Sequence, residues 1–555
     1  MTTQRFMAAA LVLSSAAFLS ACGGGGGGEL NPAPLAPLTA RASCDLMASA
    51  LVPAAEIGLA TRGATVTGAT LVAATDALPE HCAVDGSIAP VDSAAPPIRF
   101  RVNLPTQWNG KAMHFGGAGF NGVVMTATGL PMRVPPGTQT PLQKGYATLG
   151  SDSGHTGSSL AFALNAESFE NFSHAQMKKT LDTAKALILK RYGESPRQVY
   201  WVGSSQGGRE GLMVAQRYGR DYDGIYVNVP VGTSFTAKAM QGLRIGRSLA
   251  QAGAWLNPAK VTLVQNAARS RCDIQDGLAD GTIANPGACD FDPATLRCPS
   301  GADEGDTCLS GAQLSAVRTI HTDQSYGFAL ANGITSYPAS QWGSENDPAG
   351  NWQQWITGTS QGLLGQIFNG GAGFLRYAVA QDSALFDPLT FDPAQWQSRL
   401  QEVSRIHDAS NPDLSAFRGH GGKIIITEWG GDYSHSPQAT ADYVKAVQAR
   451  MGQDAANQFL RFYVLSGGDH SGTPAAGWPA GLIDWISILE AWVEAGQAPA
   501  DKLRLTAHAS TAPFAVTATR PLCRYPTYPH YEGGDLNDLV SFTCRLATAL
   551  VRPLP

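Results

Sequence analysis

The sequence predicts an α/β fold: a parallel sheet with helices on both faces, interrupted by a large insertion. Three observations carry this. Strand-like and helix-like stretches alternate from residue 98 to 231 and again from 422 to 472. The alternation stops over 234–417, a stretch with many Gly, Pro, Asn and Trp residues and four cysteines. A tight Gly/Ser turn, inside "VYWVGSSQGGREGL" (199–212), joins an apolar run to a helix-forming one. The expected organisation is a core in two parts, 44–233 and 418–555, with 234–417 inserted as a lid.

The N-terminus reads as export. Arg5 precedes the apolar run "FMAAALVLSSAAFLSAC", too short to span a bilayer and suited to a signal peptide over 1–21. Leu19-Ser20-Ala21-Cys22 resembles a bacterial lipobox, which implies cleavage before Cys22 and lipidation of its thiol; the alternative is an ordinary signal peptide. The glycine run and "NPAPLAPL" make 22–43 a flexible tether. No later segment is long and apolar enough for a transmembrane helix, so membrane contact is expected only through the anchor. With a formal net charge of −5, 15% charged residues and no basic run, nucleic acid is excluded as a partner. Beyond Cys22 eight cysteines remain, and export makes disulfides the expected state. Their spacing suggests nearest-neighbour pairs: Cys44–Cys82, Cys272–Cys289, Cys298–Cys308 and Cys523–Cys544.

Along the first core part, "IRFRVN" (98–103) alternates as a strand does. "KAMHFGGAGFNG" is an apolar segment entering a glycine-rich loop, and "GYATLGSDSGH" (145–155) repeats that design. Met177, Leu181, Ala184, Ile188 and Tyr192 fall at helical spacing, with Gly193 placed as a C-terminal cap. "RQVYWV" is strand-like, "GREGLMVAQRYG" helical and "GIYVNVPV" a further strand. In the second part, "GKIIITEWGGD" (422–432) is a strand, Ala439 to about Met451 a helix, and "FLRFYVLSGGDHSG" (459–472) a strand and loop; the tail 503–555 reads as irregular.

G-x-S-x-G occurs twice, around Ser205 and in "GTSQG" around Ser360. In an α/β-hydrolase the nucleophile occupies a sharp strand-to-helix turn that tolerates only small flanking residues. Ser205 has the strand "QVYWV" before it, Gly203 and Gly207 beside it and a helix after it. Ser360 follows no buried-strand run and lies in the insertion, which reads as a polar loop. The partners should come in the order acid, then histidine. Asp432 follows "KIIIT" and His470 follows "RFYVL", both at strand C-terminal ends, where open α/β sheets meet ligands. His508 and His530 close no comparable strand, His435 precedes the next one, and Asp469 can serve its own loop. The oxyanion donors expected are the amides of Gln206 and of Gly117 in the "GGAG" loop.

"YWVGSSQGGREGLMVAQRYGRDYDGI", "CDIQDGLADGTIANPGAC", "SPQATADYV", "GGDHSG" and "RPLCRYP…SFTC" together resemble the tannase/feruloyl esterase family, over about Cys44 to Cys544. The resemblance implies an α/β-hydrolase core with a large lid, hydrolysis of small esters of aromatic acids, and a triad on Ser205, Asp432 and His470. By themselves, Asp273, Asp276 and Asp280 between two cysteines fit either a Ca²⁺ loop or a solvated turn. The resemblance favours structural Ca²⁺, with backbone oxygens of Leu278 and Thr282 as further ligands and no organic cofactor. Many family members also bridge two cysteines flanking the nucleophile and the histidine. Here both positions are serine, Ser204 and Ser471, so His470 is expected to be held by packing and hydrogen bonds, one between the two hydroxyls among them. The expected function is an exported serine carboxylesterase acting on feruloyl, galloyl or terephthalate-monoester substrates. The alternatives are a catalytically silent binding lipoprotein on the same fold, or a lipase or peptidase variant.

Overall fold

The computed structural model describes residues 39–130, 132–475, 478 and 481–547; the signal peptide, Cys22 and most of the tether lie outside them, while a short helix, Ala40–Asp45, takes in the last residues expected to be flexible tether. A ten-stranded sheet organises the chain from Ala40 onward. Its strands are β1 (Leu51–Val52), β2 (Ala64–Val72), β3 (His81–Ile88), β4 (Ile98–Pro105), β5 (Lys111–Phe115), β6 (Ala147–Ser151), β7 (Gln198–Ser204), β8 (Gly224–Asn228), β9 (Lys423–Trp429) and β10 (Leu460–Leu465). They run in the order β1-β2-β3-β4-β6-β5-β7-β8-β9-β10. The strands from β1 through β4 to β6 pair antiparallel, and β6 through β10 pair parallel. The α/β class is the one expected from the alternation.

Side-chain parity explains why these strands read as unbroken apolar runs. Val199 and Trp201 of β7, Ile225 and Val227 of β8, and Ile424 and Ile426 of β9 enter the cluster on one face. Tyr200, Val202, Tyr226 and Ile425 enter the cluster on the other. A strand buried on both faces has no polar face to show, as parallel sheets require. One face packs on α1 (Gln176–Tyr192) and α2 (Gln206–Arg217). Gly193 ends α1 with φ 79°, a left-handed conformation that only glycine adopts without strain.

Between β8 and β9 the chain adds no strand to the large sheet. It is chiefly helical: α3 (Phe235–Leu249), α4 (Pro258–Cys272), α5 (Gly311–Ile320), α6 (Gln366–Phe374) and α7 (Gln397–His407). This segment has its own apolar clusters, one around Phe235, Leu243, Phe374 and Leu400, another around Ile245, Val261, Val317 and Trp352. Beyond β9, α8 (Pro437–Met451) packs on the first face of the sheet and α9 (Trp485–Ala495) on the second.

The tail departs from the irregular coil expected of it. Lys502–His508 pairs antiparallel with Val516–Cys523, and Thr527–Tyr531 with Phe542–Leu546. Short strands containing Pro521 and Pro529 lack the apolar run by which a sequence reader finds strands. The disulfides are Cys44–Cys82, Cys272–Cys289, Cys298–Cys308 and Cys523–Cys544, and the last ties the two tail hairpins together.

Candidate active site

Ser205 stands between β7 and α2 with φ 59° and ψ −119°, a conformation strained for any residue with a Cβ. Its neighbours show why the turn needs glycine. A Cβ on Gly203 would lie 2.2 Å from the Gly207 carbonyl oxygen, and one on Gly207 would lie 2.7 Å from the Gly117 carbonyl oxygen. The turn thus presses against both its own helix and the glycine-rich loop after β5. The Ser205 amide donates to the Asn228 carbonyl at 3.0 Å, which anchors the turn to β8.

His470 follows β10 and Asp432 follows β9, and the parallel register brings both loops beside Ser205. His470 Nδ1 is 2.6 Å from Asp432 Oδ2, and His470 Nε2 is 2.8 Å from Ser205 Oγ. A carboxylate only accepts, so Nδ1 carries the hydrogen and Nε2 is left to accept from the serine hydroxyl. Asp432 is buried, and its other oxygen accepts from the Ser434 amide at 2.7 Å. Burial alone would raise its pKa; the His470 and His435 rings outweigh that and hold it well below the usual carboxylate range. Asp469 Oδ1 accepts from the Ser471 and Thr473 amides, so it shapes the histidine loop. From the insertion, Trp355 meets the His470 ring edge-on at 5.1 Å.

The competing residues are elsewhere. Ser360 is an exposed bend. His508 bonds Thr506 and Phe514 within its hairpin, and His530 sits beside Glu532 and Arg545. Ser204 Oγ accepts from Asn228 Nδ2 at 3.0 Å. Among the described residues no bond joins it to Ser471, although both line a cavity of about 260 Å³ that also touches His470 and Trp429. The expected hydroxyl–hydroxyl bond is therefore replaced by one to β8.

The expectation for Gly117 also needs correction. Its amide donates to Glu210 Oε2 at 2.9 Å, and Glu210 Oε1 accepts from Asn121 Nδ2 at 2.6 Å. Glu210 lies one turn into α2, so it reaches back and pins the glycine-rich loop, engaging the donor an oxyanion would need. No acceptor reaches the amides of Ala118 and Gly119 among the described residues. Gln206 opens α2, where an amide has no partner within the helix.

Sequence reasoning set aside His435 and did not consider Glu428, Lys238, Glu210 or Arg209. Glu428 had a visible signal, a carboxylate inside the apolar run "KIIITEW", and it is fully buried. Arg209, also fully buried, donates to the carbonyls of Ser173 and His407 at 2.9 and 3.0 Å. Nothing local marks it.

The acidic loop begins where α4 ends at Cys272. Asp273 Oδ2 accepts from the Gly281 amide at 2.7 Å, while its buried Oδ1 has no partner. Asp276 accepts from the Ala284 and Leu278 amides, and Asp280 from the Thr282 amide, with Arg520 3.6 Å away. No donor reaches the carbonyl oxygens of Leu278 and Thr282 among the described residues. Burial above all, with carboxylate repulsion added, pushes Asp276 up to about 7 and Asp280 up to about 6. Unpartnered hard oxygens among repelling carboxylates fit a Ca²⁺ ion. The three carboxylates do not all converge within 4.8 Å; among the described residues the trio that does is Asp432, His435 and His470. There His470 already spends both ring nitrogens on Asp432 and Ser205.

This sheet order, with a strained serine between a central strand and its helix, defines an α/β-hydrolase. The chain belongs to the tannase and feruloyl esterase family, whose model matches residues 82–545, and it is a carboxylic ester hydrolase. It is 35% identical over 538 residues to an uncharacterized esterase of Agrobacterium fabrum, covering 92% of this chain and 94% of that one. It is 32% identical over 536 residues to the mono(2-hydroxyethyl) terephthalate hydrolase of Piscinibacter sakaiensis, covering 86% of each. Feruloyl esterase B from Aspergillus oryzae superposes with a TM-score of 0.75 at 23% identity, over 91% of this chain and all of that one. The tannin acyl hydrolase from Aspergillus niger does so with a TM-score of 0.67 at 21% identity, over 92% of this chain and 96% of that one.

Proposed function

We propose that the protein is an exported serine esterase that cleaves esters of aromatic carboxylic acids through an acyl-enzyme on Ser205. The observation that carries this reading is the continuous hydrogen-bond chain Ser205–His470–Asp432. His470 takes the Ser205 proton as Oγ attacks the ester carbonyl, and returns it to the departing alkoxide. Asp432 fixes the imidazole orientation and stabilises the imidazolium. The tetrahedral oxyanion is met by the Gln206 amide and by a free amide of the glycine loop, Ala118 or Gly119. Water then repeats the sequence and releases the acid.

An aromatic acyl group suits the surroundings. Trp355 stands over His470, and Phe120 of the glycine loop faces Phe235 of α3 at 6.3 Å. Relatives named as feruloyl esterases and as a terephthalate-monoester hydrolase support the same class. Residues 234–417, the source of Trp355 and Phe235, act as the lid. Four disulfides support export. Asp273, Asp276 and Asp280, with the backbone oxygens of Leu278 and Thr282, would hold Ca²⁺, which would neutralise the loop and take no part in the chemistry.

The test is active-site labelling with a fluorophosphonate, followed by kcat/KM for methyl ferulate, methyl gallate and a terephthalate monoester. Labelling of Ser205 and turnover of at least one of the three is expected. Folded protein that fails to label would point to a silent binding protein.

A further inference from the structure

Behind the catalytic carboxylate lies a second charged pair that the acyl-transfer scheme does not use. His435 Nε2 is 3.0 Å from Glu428 Oε1, and His435 Nδ1 is 3.3 Å from Asp432 Oδ2, the oxygen that also receives His470. The side chains of Glu428, Asp432 and His435 are at most 1% exposed. The Thr440 hydroxyl from α8 donates to Glu428 Oε1 at 2.6 Å, fixing the far end of the chain. The His435 and His470 rings are 5.8 Å apart at 85°, so both present a nitrogen to one carboxylate oxygen.

We propose that His435 is a fixed imidazolium that positions Asp432 and sets the acid limb of the reaction, a role that rests on the Ser205 reading above. His435 Nε2 hydrogen-bonds Glu428 Oε1, while Nδ1 stands 3.3 Å from Asp432 Oδ2 as an ion pair without hydrogen-bond alignment, so the buried ring lies between two carboxylates whose charges both favour the imidazolium. Burial opposes that charge, but Glu428 and then Asp432 outweigh it and push His435 up to about 10. Lys238 of α3 acts on Asp432 as a second cation, and the neutral Tyr337 hydroxyl, which accepts from the Ser436 amide, faces both carboxylates. Burial pushes the Glu428 carboxyl up and the Lys238 amine down to about 8, and the charges of His435 and Asp432 respectively oppose those two shifts. His435 keeps Asp432 ionised and aimed, and its positive charge opposes a proton on His470.

Histidine-labelled wild-type protein followed by NMR tests the charge without any variant. Of the 11 histidines, one is expected to remain imidazolium at pH 9. If none does, the proposal is overturned. His435→Gln keeps a hydrogen-bonding side chain without the charge. It should move the acid limb of kcat/KM upward by about one pH unit, an about tenfold loss on that limb, with KM little changed. Glu428→Gln removes the larger of the two charges that hold the imidazolium and should abolish the pH 9 imidazolium signal in the same NMR measurement. A His435→Gln enzyme slower by the same factor at every pH would show a merely structural residue. The NMR result stands apart from Ser205: a Ser205→Ala enzyme that kept its activity would sink the nucleophile and leave the histidine spectrum to speak for itself.

Discussion

At the scale of single residues, the hydrogen-bond chain makes sharp demands. Ser205→Ala and His470→Ala should each lower kcat by several orders of magnitude, since members of such a unit fail together. Thermal unfolding should stay close to wild type, because neither side chain fills the core. Ser360→Ala should leave kcat/KM unchanged; the reverse pattern would refute the assignment. Gly203→Ala tests the turn itself. Its Cβ would meet backbone rather than a flexible side chain, so it cannot be absorbed by a rotamer change. A loss of roughly 1–3 kcal/mol of stability is expected in denaturant unfolding, together with loss of phosphonate labelling.

At the scale of elements, the acidic loop links charge to stability. A carboxyl whose folded-state pKa is raised binds its proton more tightly folded than unfolded. With Asp276 at about 7, the calcium-free loop gains stability as pH falls from about 7 toward the ordinary carboxylate range, and loses it as pH rises again. With a chelator present, Tm should therefore drop between pH 5 and 8. Millimolar Ca²⁺ should shrink that drop, and Asp276→Asn should remove much of it. A chelated protein with a flat Tm across that range, or untreated protein without bound calcium, would refute the site. The loops carrying Ser204 and Ser471 give a second test, because both residues line one small cavity. Ser204→Cys with Ser471→Cys should form a disulfide on export and raise Tm, with activity retained. Chain entropy sets an upper bound of roughly 5 kcal/mol for so long a loop. Two free thiols by mass spectrometry after oxidation would show that the positions are not neighbours.

At the scale of the whole molecule, Arg209 joins sheet and insertion. It rises from α2 of the core and donates to the His407 carbonyl at the end of α7 and to Ser173 before α1. Asp408, the next residue, accepts from the Thr236 amide and hydroxyl at the start of α3. Both ends of the insertion are therefore pinned at one buried point. Arg209→Leu strands several buried carbonyls and should cost about 3 kcal/mol or more in denaturant unfolding, at 1–3 kcal/mol per unsatisfied group. A loss well under 1 kcal/mol would mean that the insertion holds itself in place.

The sequence by itself determined the α/β alternation, the helix from about 175 to 192 and the strand behind Ser205. Each is written in local periodicity: parallel strands buried on both faces must be apolar throughout, and the nucleophile turn must be flanked by glycine. It also singled out Asp432 and His470, because strand ends in a parallel sheet point the same way. Only the tertiary structure decided the rest, because those features depend on groups far apart in the chain. Glu210 takes the Gly117 amide across 93 residues, and His407 meets Arg209 across 198. The tail pairs into hairpins whose strands carry prolines and mixed exposure, so no apolar run announces them. His435 reads as one more loop histidine until folding closes Glu428 and Asp432 on its two nitrogens. Burial then strengthens their attraction, and a sequence gives no direct measure of burial for a single polar side chain.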